Sequence, residues 1–303
     1  MYDLIIIGAG PSGLAAALYA ARFRLRVGIL EKFACGGQIL LSPSIDNYPG
    51  FPEGISTFTL IENFKKQVES LGLKIENKEV IGVEPEEGFF KVKTEYGSLE
   101  AKTIILATGA VSKRLGVDGE DKLIGKGVSY CGTCDGPLFK NKDIAVIGGG
   151  DRALEDAIFL ASYASRVYLI HRRNQFRASG ILVEKAKDNP KIKFVLDTVI
   201  EKIEGDGKVE SVKVKNVKTG LKSNIACQGV FIFVGISPNT GFVRNILETD
   251  DSGFVIVNQE MHTTKEGVFA CGDCVKKSLY QVISACGDGA VAADSVHKYL
   301  LNL

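Results

Sequence analysis

Short runs of branched apolar residues that end in glycine alternate along the chain with stretches of helical apolar spacing. The first run, from Asp3 to Gly8, predicts a buried parallel strand. Apolar residues then recur on one helical face as far as Arg22, and a second apolar run predicts a strand from Arg26 to Glu31. The same succession of strand, helix and strand returns between Lys142 and His171. The chain therefore predicts an α/β fold that contains two copies of one plan.

A glycine-rich turn joins the first strand to the helix in each copy. In the first copy Gly8 allows a tight turn, Gly10 lets the backbone approach a pyrophosphate, and Gly13 lets helix and sheet pack closely. The second copy has the matching sequence Gly-Gly-Gly-Asp-Arg-Ala from 148 to 153. This order of elements predicts two Rossmann-like dinucleotide-binding domains. The residues assigned to the two turns are Gly8, Gly10, Pro11, Ser12, Gly13, Gly148, Gly150, Asp151, Arg152 and Ala153.

The ends of the two second strands differ in charge. Glu31 closes the first and is expected to bind ribose hydroxyls. His171, Arg172 and Arg173 close the second, and Arg177 follows four residues later. A carboxylate would repel a 2′-phosphate, whereas guanidinium groups bind one in a forked geometry, so the second site is expected to prefer NADPH to NADH. A basic strand end that is simply solvated is the alternative.

A Cys-x-x-Cys pair, Cys131 and Cys134, lies between the two copies and is followed directly by Asp135. In a chain without a secreted disulfide pattern, this spacing favours a redox-active pair over a structural crosslink. A zinc site and an inert pair are the alternatives, although zinc needs four ligands and none of the three histidines is near the pair in sequence. Cys271 and Cys274 form a second such pair, for which a place beside a cofactor loop is the simpler interpretation.

The closing part of the chain is expected to return to the first domain. An apolar run from 267 ends in Gly272-Asp273, whose carboxylate can accept a hydrogen bond from a flavin ribityl hydroxyl, and small residues follow at helical spacing after Tyr280. The predicted division is a discontinuous first domain, 1–112 and 239–303, with the second domain, 113–238, inserted. The other strands are expected within 74–102, 103–109, 192–199, 209–217, 223–227 and 229–235, and a further helix within 61–71.

Composition agrees with two domains and limits the partners. The chain has 303 residues, more than one core usually serves, and 45% of them are hydrophobic. Its 37 basic and 36 acidic residues give a net charge of +1, which creates no field towards nucleic acid or an anionic membrane. The start lacks a signal-peptide pattern, and the seven cysteines are odd in number and irregular in spacing, so we expect a cytoplasmic protein with mostly free thiols.

These motifs together resemble the low-molecular-weight thioredoxin reductases over nearly the whole chain. The resemblance implies FAD in the first domain, NADPH in the second, thioredoxin as the substrate and a homodimer. It also assigns Cys134 as the flavin-side thiol, Cys131 as the thiol that attacks thioredoxin, and Asp135 as the proton donor. The further positions assigned to the cofactors are Gly37, Gln38, Asn47, Thr108, Gly109, Gly272, Asp273, Tyr280, Gln281 and Val282.

Two positions depart from the family pattern. Arg152 stands where the family has serine, and Tyr280 stands where it has arginine before Gln281. An aromatic ring near the flavin could obstruct a nicotinamide, so a relative that takes electrons from ferredoxin is an alternative, as is a disulfide substrate other than thioredoxin. A flavin-binding scaffold without turnover is disfavoured, because a binding module needs no thiols at 131 and 134. A hinge rotation is expected at 109–114 and 235–239, because disulfide and nicotinamide both need the same flavin.

Overall fold

In the computed structural model, which describes residues 1–41, 44–45 and 47–303, the chain forms two compact units. Unit 1 comprises Met1–Leu40, Tyr48–Val111 and Ser237–Leu303, and unit 2 comprises Leu41–Asn47 and Ser112–Ile236. The chain thus leaves unit 1 and later returns to it. The predicted fold class, two Rossmann-like α/β domains of which the first is discontinuous, is confirmed.

The helices and strands are numbered in chain order. The first half contains β1 (Tyr2–Ile7), α1 (Pro11–Arg22), β2 (Val27–Glu31), β3 (Ser44–Ile45), β4 (Ile55–Ser56), α2 (Thr57–Ser70), β5 (Ile75–Asn77), β6 (Val80–Glu86), β7 (Phe89–Thr94), β8 (Gly97–Leu106), β9 (Ala110–Ser112), β10 (Val128–Ser129) and α3 (Gly132–Asp135). The second half contains β11 (Asp143–Gly148), α4 (Asp151–Leu160), β12 (Arg166–Ile170), α5 (Gly180–Asp188), β13 (Ile192–Val195), β14 (Thr198–Glu204), β15 (Ser211–Asn216), β16 (Lys222–Ala226), β17 (Gly229–Phe233), β18 (Ile236–Pro238), β19 (Val268–Ala270) and α6 (Val282–Leu301).

The main sheet of unit 1 has the order β5-β2-β1-β8, and β19 pairs with β8 on a further path. β1 is parallel to both of its neighbours, with Leu4 opposite Val27 in β2 and opposite Thr103 in β8. Because both faces of this parallel sheet are covered, the apolar residues 4–7 are buried, which explains the continuous apolar run in the sequence. β7 and β6 continue the sheet as antiparallel strands.

Helices α1 and α6 pack against each other over one face of that sheet. Their small side chains share a core with Leu4 and Ile6 of β1. The two backbones come close together at Gly289 of α6, where an added Cβ would lie 2.1 Å from the carbonyl oxygen of Ser12. The small residues that the sequence placed on this helix therefore serve close backbone packing.

The sheet of unit 2 repeats the parallel part of unit 1. Its order is β10-β17-β11-β12-β13, with every pair parallel, and this order corresponds to β19-β8-β1-β2-β5. α4 covers one face, where Leu154 and Leu160 share a core with Ile144 and Val146. A separate antiparallel sheet, β14-β15-β16, packs through Ile203 and Val212 into the second core of this unit.

The sequence missed two helices and divided one strand. A strand of its own was expected within 103–109, but residues 103–106 are the end of β8, which begins at Gly97. The first half of β8 forms a hairpin with β7 and is partly exposed, whereas the second half lies between β1 and β19 and is buried, so one strand carries two patterns. α5 gave no clear signal because Ala186 is its buried residue, and α3 has only four residues.

The helices of the described residues lack the combined length and apolar character needed to cross a bilayer.

Candidate active site

The glycine-rich turn of unit 1 is tight at two positions and open at a third. An added Cβ would lie 2.3 Å from the Ala107 carbonyl oxygen at Gly8, whose φ is +108°, and 1.9 Å from the Gly8 carbonyl oxygen at Gly13. At Gly10 the nearest atom to such a Cβ is 3.9 Å away. The turn therefore fixes β1 against α1 and leaves free space at the N-terminus of the helix, where a pyrophosphate can be bound.

Glu31 lies at the end of β2, and its carboxylate organises the turn. Its Oε2 accepts a hydrogen bond from the Ala9 N–H at 2.7 Å, and its Oε1 accepts one from the Phe33 N–H at 2.9 Å. A carboxylate has further lone pairs, so both oxygens can still accept ribose hydroxyls. Glu31 also lines a cavity of about 410 Å³, together with Cys35 and Phe58.

A charged cluster in unit 1 surrounds Asp273. Lys277 Nζ lies 3.3 Å from Asp273 Oδ1 and 2.9 Å from Asp288 Oδ2, and the same Asp288 oxygen accepts the Gly272 N–H at 3.2 Å. Burial lowers the pKa of Lys277, but the two carboxylates outweigh burial and hold this pKa above its ordinary value. The sequence predicted Asp273 but missed Lys277 and Asp288, since their only signal was a lysine four residues after the aspartate.

The other positions assigned to the flavin fall on loops and helix starts. Thr108 and Gly109 follow β8, and their carbonyl oxygens accept the side-chain and backbone N–H groups of Asn239 at 2.9 and 3.0 Å. Gln281 is the N-cap residue of α6, which starts at Val282, and Tyr280 lies directly before it. The remaining residues are placed as follows: Ser12 buried in unit 1, Gly37 and Gln38 exposed in unit 1, and Asn47 exposed in unit 2.

The glycine-rich turn of unit 2 follows the same design. An added Cβ would lie 2.5 Å from the Ala153 Cβ at Gly148, whereas nothing lies within 4 Å of one at Gly150. Asp151 Oδ1 accepts the Ser179 N–H at 2.7 Å, and the Gly149 carbonyl oxygen accepts the Arg177 N–H at 2.7 Å. Backbone groups after β12 thus hold the turn in place.

The basic residues after β12 separate into one buried and three exposed side chains. His171 is 8% exposed and packs beneath Gly149, where an added Cβ would lie 2.1 Å from its ring. Burial lowers the pKa of His171, and Arg172 and Arg173 lower it further, so the imidazole is neutral at neutral pH. Arg172, Arg173 and Arg177 are exposed. His171 therefore supports the turn, and the arginines carry the charge available to an anion.

Cys131 and Cys134 form a disulfide in unit 2, directly after β10. Cys131 is the N-cap of α3, and its Sγ accepts the Cys134 N–H at 3.2 Å. Ser129 fixes the start of the loop, because its Oγ accepts the Cys131 N–H at 3.1 Å and donates to the Cys131 carbonyl oxygen at 3.2 Å. Both cysteines are half-buried, and Asp135 is 6% exposed. A redox-capable pair with an adjacent buried acid is thus present in one loop.

A hydrogen-bond network that the sequence did not reveal holds Tyr130, the residue before Cys131. The Tyr130 hydroxyl donates to Glu120 Oε1 at 2.7 Å and accepts from Arg114 Nη1 at 2.7 Å. Glu120 is 2% exposed and also accepts the N–H groups of Leu115 and Gly116 at 3.0 and 2.8 Å. Burial, together with the hydrogen bond to Glu120, raises the pKa of Tyr130, so the hydroxyl stays protonated.

A second feature that the sequence did not reveal is an ion pair beside the disulfide loop. Arg152 Nε lies 3.7 Å from Asp156 Oδ2, and Arg152 Nη2 donates to the Tyr130 carbonyl oxygen at 3.4 Å. Asp156 lies against Gly132, where an added Cβ would be 2.6 Å from its Oδ1. Burial raises the pKa of Asp156 to about 6.

The other cysteines are free thiols. Cys271 and Cys274 are fully buried in unit 1, where Cys274 Sγ donates to the Leu106 carbonyl oxygen at 3.4 Å. Burial raises the pKa of both, and it raises those of Cys227 and Cys286 to about 12 and about 11. Buried thiols with raised pKa values are poor nucleophiles. Within 1–41, 44–45 and 47–303, no three His, Cys, Asp or Glu side chains are grouped so that they could hold a metal ion.

A family model described as pyridine nucleotide-disulphide oxidoreductase matches residues 2–289. The chain belongs to this family. Membership implies a flavin and a pyridine nucleotide, and the predicted resemblance to the thioredoxin reductases is confirmed by the family's individual members. The thioredoxin reductase of Treponema pallidum (strain Nichols) is 44% identical over 299 residues, which cover 99% of this chain and 97% of that protein.

Solved structures from this family agree with the fold. The crystal structure of thioredoxin reductase from Streptococcus pyogenes MGAS5005 has 44% identity and a TM-score of 0.93, and the match covers 100% of this chain and 99% of that one. A ferredoxin-flavin thioredoxin reductase from Clostridium acetobutylicum has 33% identity and a TM-score of 0.54, with 100% and 99% covered.

Proposed function

We propose that this chain is an FAD-dependent thioredoxin-disulfide reductase, which passes electrons from NADPH through the flavin and the Cys131–Cys134 disulfide to thioredoxin. The observation that carries the proposal is the disulfide itself. It lies in a short loop with the buried Asp135, within the unit that also holds the second glycine-rich turn. Relatives of about the same length and more than 40% identity bear the name thioredoxin reductase.

Unit 1 fits FAD. The open space at Gly10 accepts the pyrophosphate at the N-terminus of α1, and Glu31 accepts the adenosine ribose hydroxyls. Asp273, next to Lys277, accepts a ribityl hydroxyl. When bound, FAD accepts a hydride and delivers two electrons to a disulfide. The whole set of flavin positions proposed from the sequence is retained.

Unit 2 fits NADPH. The space at Gly150 accepts its pyrophosphate, and the exposed guanidinium groups of Arg172, Arg173 and Arg177 bind its 2′-phosphate. The ring of His171 packs against Gly149, so we assign His171 to the support of the turn and not to direct contact with the phosphate. Replacement of the arginines by neutral residues should therefore weaken the binding of NADPH more than the binding of NADH.

The two thiols of the reduced loop have separate tasks. Cys134 would receive the electrons from the flavin, and Cys131 attacks the disulfide of thioredoxin as a thiolate and forms a mixed disulfide. Asp135 then protonates the departing thiolate, a role that suits a buried acid directly after Cys134 in the chain. Thioredoxin has a potential of about −270 mV, so the reduced loop must be a donor of similarly low potential.

The domain division and the assembly belong to the same proposal. We assign 1–112 and 239–303 to the FAD domain, 113–238 to the NADPH and disulfide domain, a cytoplasmic location and a homodimer. The connections contain Gly109 at φ +65° and Gly235 at φ +121°, conformations that suit a hinge with glycine. A crosslink that fixes the two domains in one orientation is expected to stop turnover, and undiminished multiple turnover would rule the hinge out.

Ferredoxin is the second candidate for the electron donor. Arg152 stands in the first turn of α4, where a nicotinamide cofactor would bind, and Tyr280 lies before α6. The similarity to a ferredoxin-flavin thioredoxin reductase points the same way. The two donors differ in whether the flavin responds to a nicotinamide at all.

The test uses the purified flavoprotein under anaerobic conditions. NADPH, NADH or reduced ferredoxin is added, and the visible flavin band is followed in time. Rapid bleaching by NADPH supports the first candidate, whereas bleaching by ferredoxin alone replaces it with the second. The variant Cys134→Ser should keep a reducible flavin and lose thioredoxin reduction, and retained reduction would refute the role of Cys134.

A further inference from the structure

Helix α4 places a carboxyl group directly against the backbone between the two cysteines. Gly132, the residue after Cys131, has no side chain, and an added Cβ would lie 2.6 Å from Asp156 Oδ1 and 2.9 Å from Asp156 Cγ. The side chain of Asp156 is only 13% exposed, so water screens its charge weakly. The negative charge of an ionised Asp156 therefore lies against the backbone between the two cysteines and acts on them electrostatically with little screening by water.

Arg152 supplies the opposite charge at the same place. Its Nε lies 3.7 Å from Asp156 Oδ2, its Nη2 donates to the carbonyl oxygen of Tyr130 at 3.4 Å, and its guanidinium lies 5.6 Å from the centre of the Phe233 ring. The side chain is thus held from three directions, one of which is the residue that precedes Cys131. Arg152 and all three of its contacts belong to unit 2.

We propose that Asp156 and Arg152 are a positioning pair of opposite charge that sets the thiolate population of the reduced Cys131 and Cys134, Asp156 lowering it and Arg152 raising it. This inference rests on the proposed function, in which the reduced pair is the working form. The charged groups that act on Asp156 are Arg152 and Glu155 from its own helix. The loop contains one further acidic residue, Asp135.

The chemistry explains why this population matters. Two electrons and two protons convert the disulfide into two thiols, with cleavage of the sulfur–sulfur bond. One thiol then loses its proton, and the thiolate attacks the partner's disulfide, forms one new sulfur–sulfur bond and releases the partner's other sulfur as a thiolate. Only the thiolate attacks, so a nearby carboxylate slows the first bond formation and a nearby guanidinium speeds it. Burial raises the pKa of Asp156 to about 6, but this value is still below 7, so the carboxyl group is mainly ionised at neutral pH and above.

The two charges predict effects of opposite sign. Asp156→Asn removes the negative charge and should lower the pKa of the more acidic thiol by about one unit, which is a tenfold gain in thiolate below that pKa. Arg152→Gln removes the positive charge and should raise the same pKa by about half a unit to one unit. A purely structural role in supporting the loop would give both variants a change in the same direction, or none.

The experiment measures the reduced flavoprotein without any protein partner. The disulfide is reduced with a phosphine, the rate of alkylation by iodoacetamide is recorded between about pH 5 and 9, and mass spectrometry identifies the modified cysteine. Asp188→Asn is the matched control, because it makes the same charge change at an exposed position of α5 in the same unit. Asp156→Glu, which restores the charge, should return the profile towards that of the wild type.

Opposite shifts for Asp156→Asn and Arg152→Gln, with an unchanged control, support the pair. Shifts of the same sign, or no shift in protein whose flavin spectrum and circular dichroism match the wild type, overturn it. Alkylation requires neither thioredoxin nor a nicotinamide. A failure of the proposed substrate or donor would therefore appear in turnover and not in this measurement.

Discussion

Replacement of Gly289 by alanine tests the close packing of α6 on α1. The added Cβ would lie 2.1 Å from the Ser12 carbonyl oxygen and 3.1 Å from the Ala16 N, whereas ordinary contacts are 3.4–4 Å. Both neighbours are backbone atoms, so no side chain can turn away and the two helices must separate by about 1 Å. Overpacking of this kind costs roughly 1–3 kcal/mol, and a net loss of about 2 kcal/mol should lower Tm by about 4–8 °C.

Gly287 provides the matched control for this prediction. It belongs to the same helix, is exposed, and has nothing within 4 Å of an added Cβ. Gly287→Ala should therefore raise the stability by about 0.5–1 kcal/mol, because alanine is the better helix former. Thermal unfolding followed by circular dichroism at matched flavin content measures both variants. If Gly289→Ala unfolds at or above the wild-type temperature, or if both variants shift alike, the packing argument is wrong.

Three further predictions use the charged and hydrogen-bonded groups. The pKa of Asp156 is raised to about 6 in the folded state, so the folded state binds this proton more tightly than the unfolded state and loses stability as the pH rises from about 4 to 6. Asp156→Asn should therefore be more stable than the wild type by up to about 3 kcal/mol at pH 8, measured by denaturant unfolding. A stability advantage that does not shrink towards pH 4 would contradict this prediction. Tyr130→Phe removes a hydrogen-bond donor from the buried Glu120 and an acceptor from Arg114, so we expect the free energy of unfolding to fall by roughly 1–3 kcal/mol in the same measurement. The control is Tyr96→Phe, at a residue that is 79% exposed, which should leave the free energy of unfolding unchanged. Lys277→Gln leaves Asp273 and Asp288 without their shared cation and should weaken flavin binding about tenfold in a fluorescence titration. The control is Lys276→Gln, because the Lys276 side chain is 68% exposed. Equal effects of the two substitutions on flavin binding would argue against a role for the charged cluster.

The sequence predicted the features that depend on local spacing. The buried strands β1 and β11 and the glycine-rich turns after them were visible because a parallel strand is apolar throughout and the turn needs glycine at set positions. The repeat of the strand, helix and strand plan along the chain was visible for the same reason. The Cys131–Cys134 pair was visible from its spacing, although a disulfide was only one of the alternatives at that point.

The sequence did not predict the features that join distant residues. Tyr130 meets Glu120 and Arg114 through a network across 16 positions, and no periodic pattern marks these residues. His171 belonged to a basic run and was expected to be available to a phosphate, yet its ring is packed under Gly149. Such contacts follow from the way strands are brought together by the sheet, and a short sequence window contains no information about them.

The entry and exit of the inserted segment lie side by side. β9 and β18 pair with each other, the Lys113 N–H donates to the Gly235 carbonyl oxygen at 2.9 Å, and the Asn239 N–H donates to the Gly109 carbonyl oxygen at 3.0 Å. A stretch of more than a hundred residues thus departs from one short ribbon and comes back to it. A gene segment that encodes a self-contained fold can be gained by a host at such a ribbon, or replaced there by another, without breaking a strand of the host's main sheet.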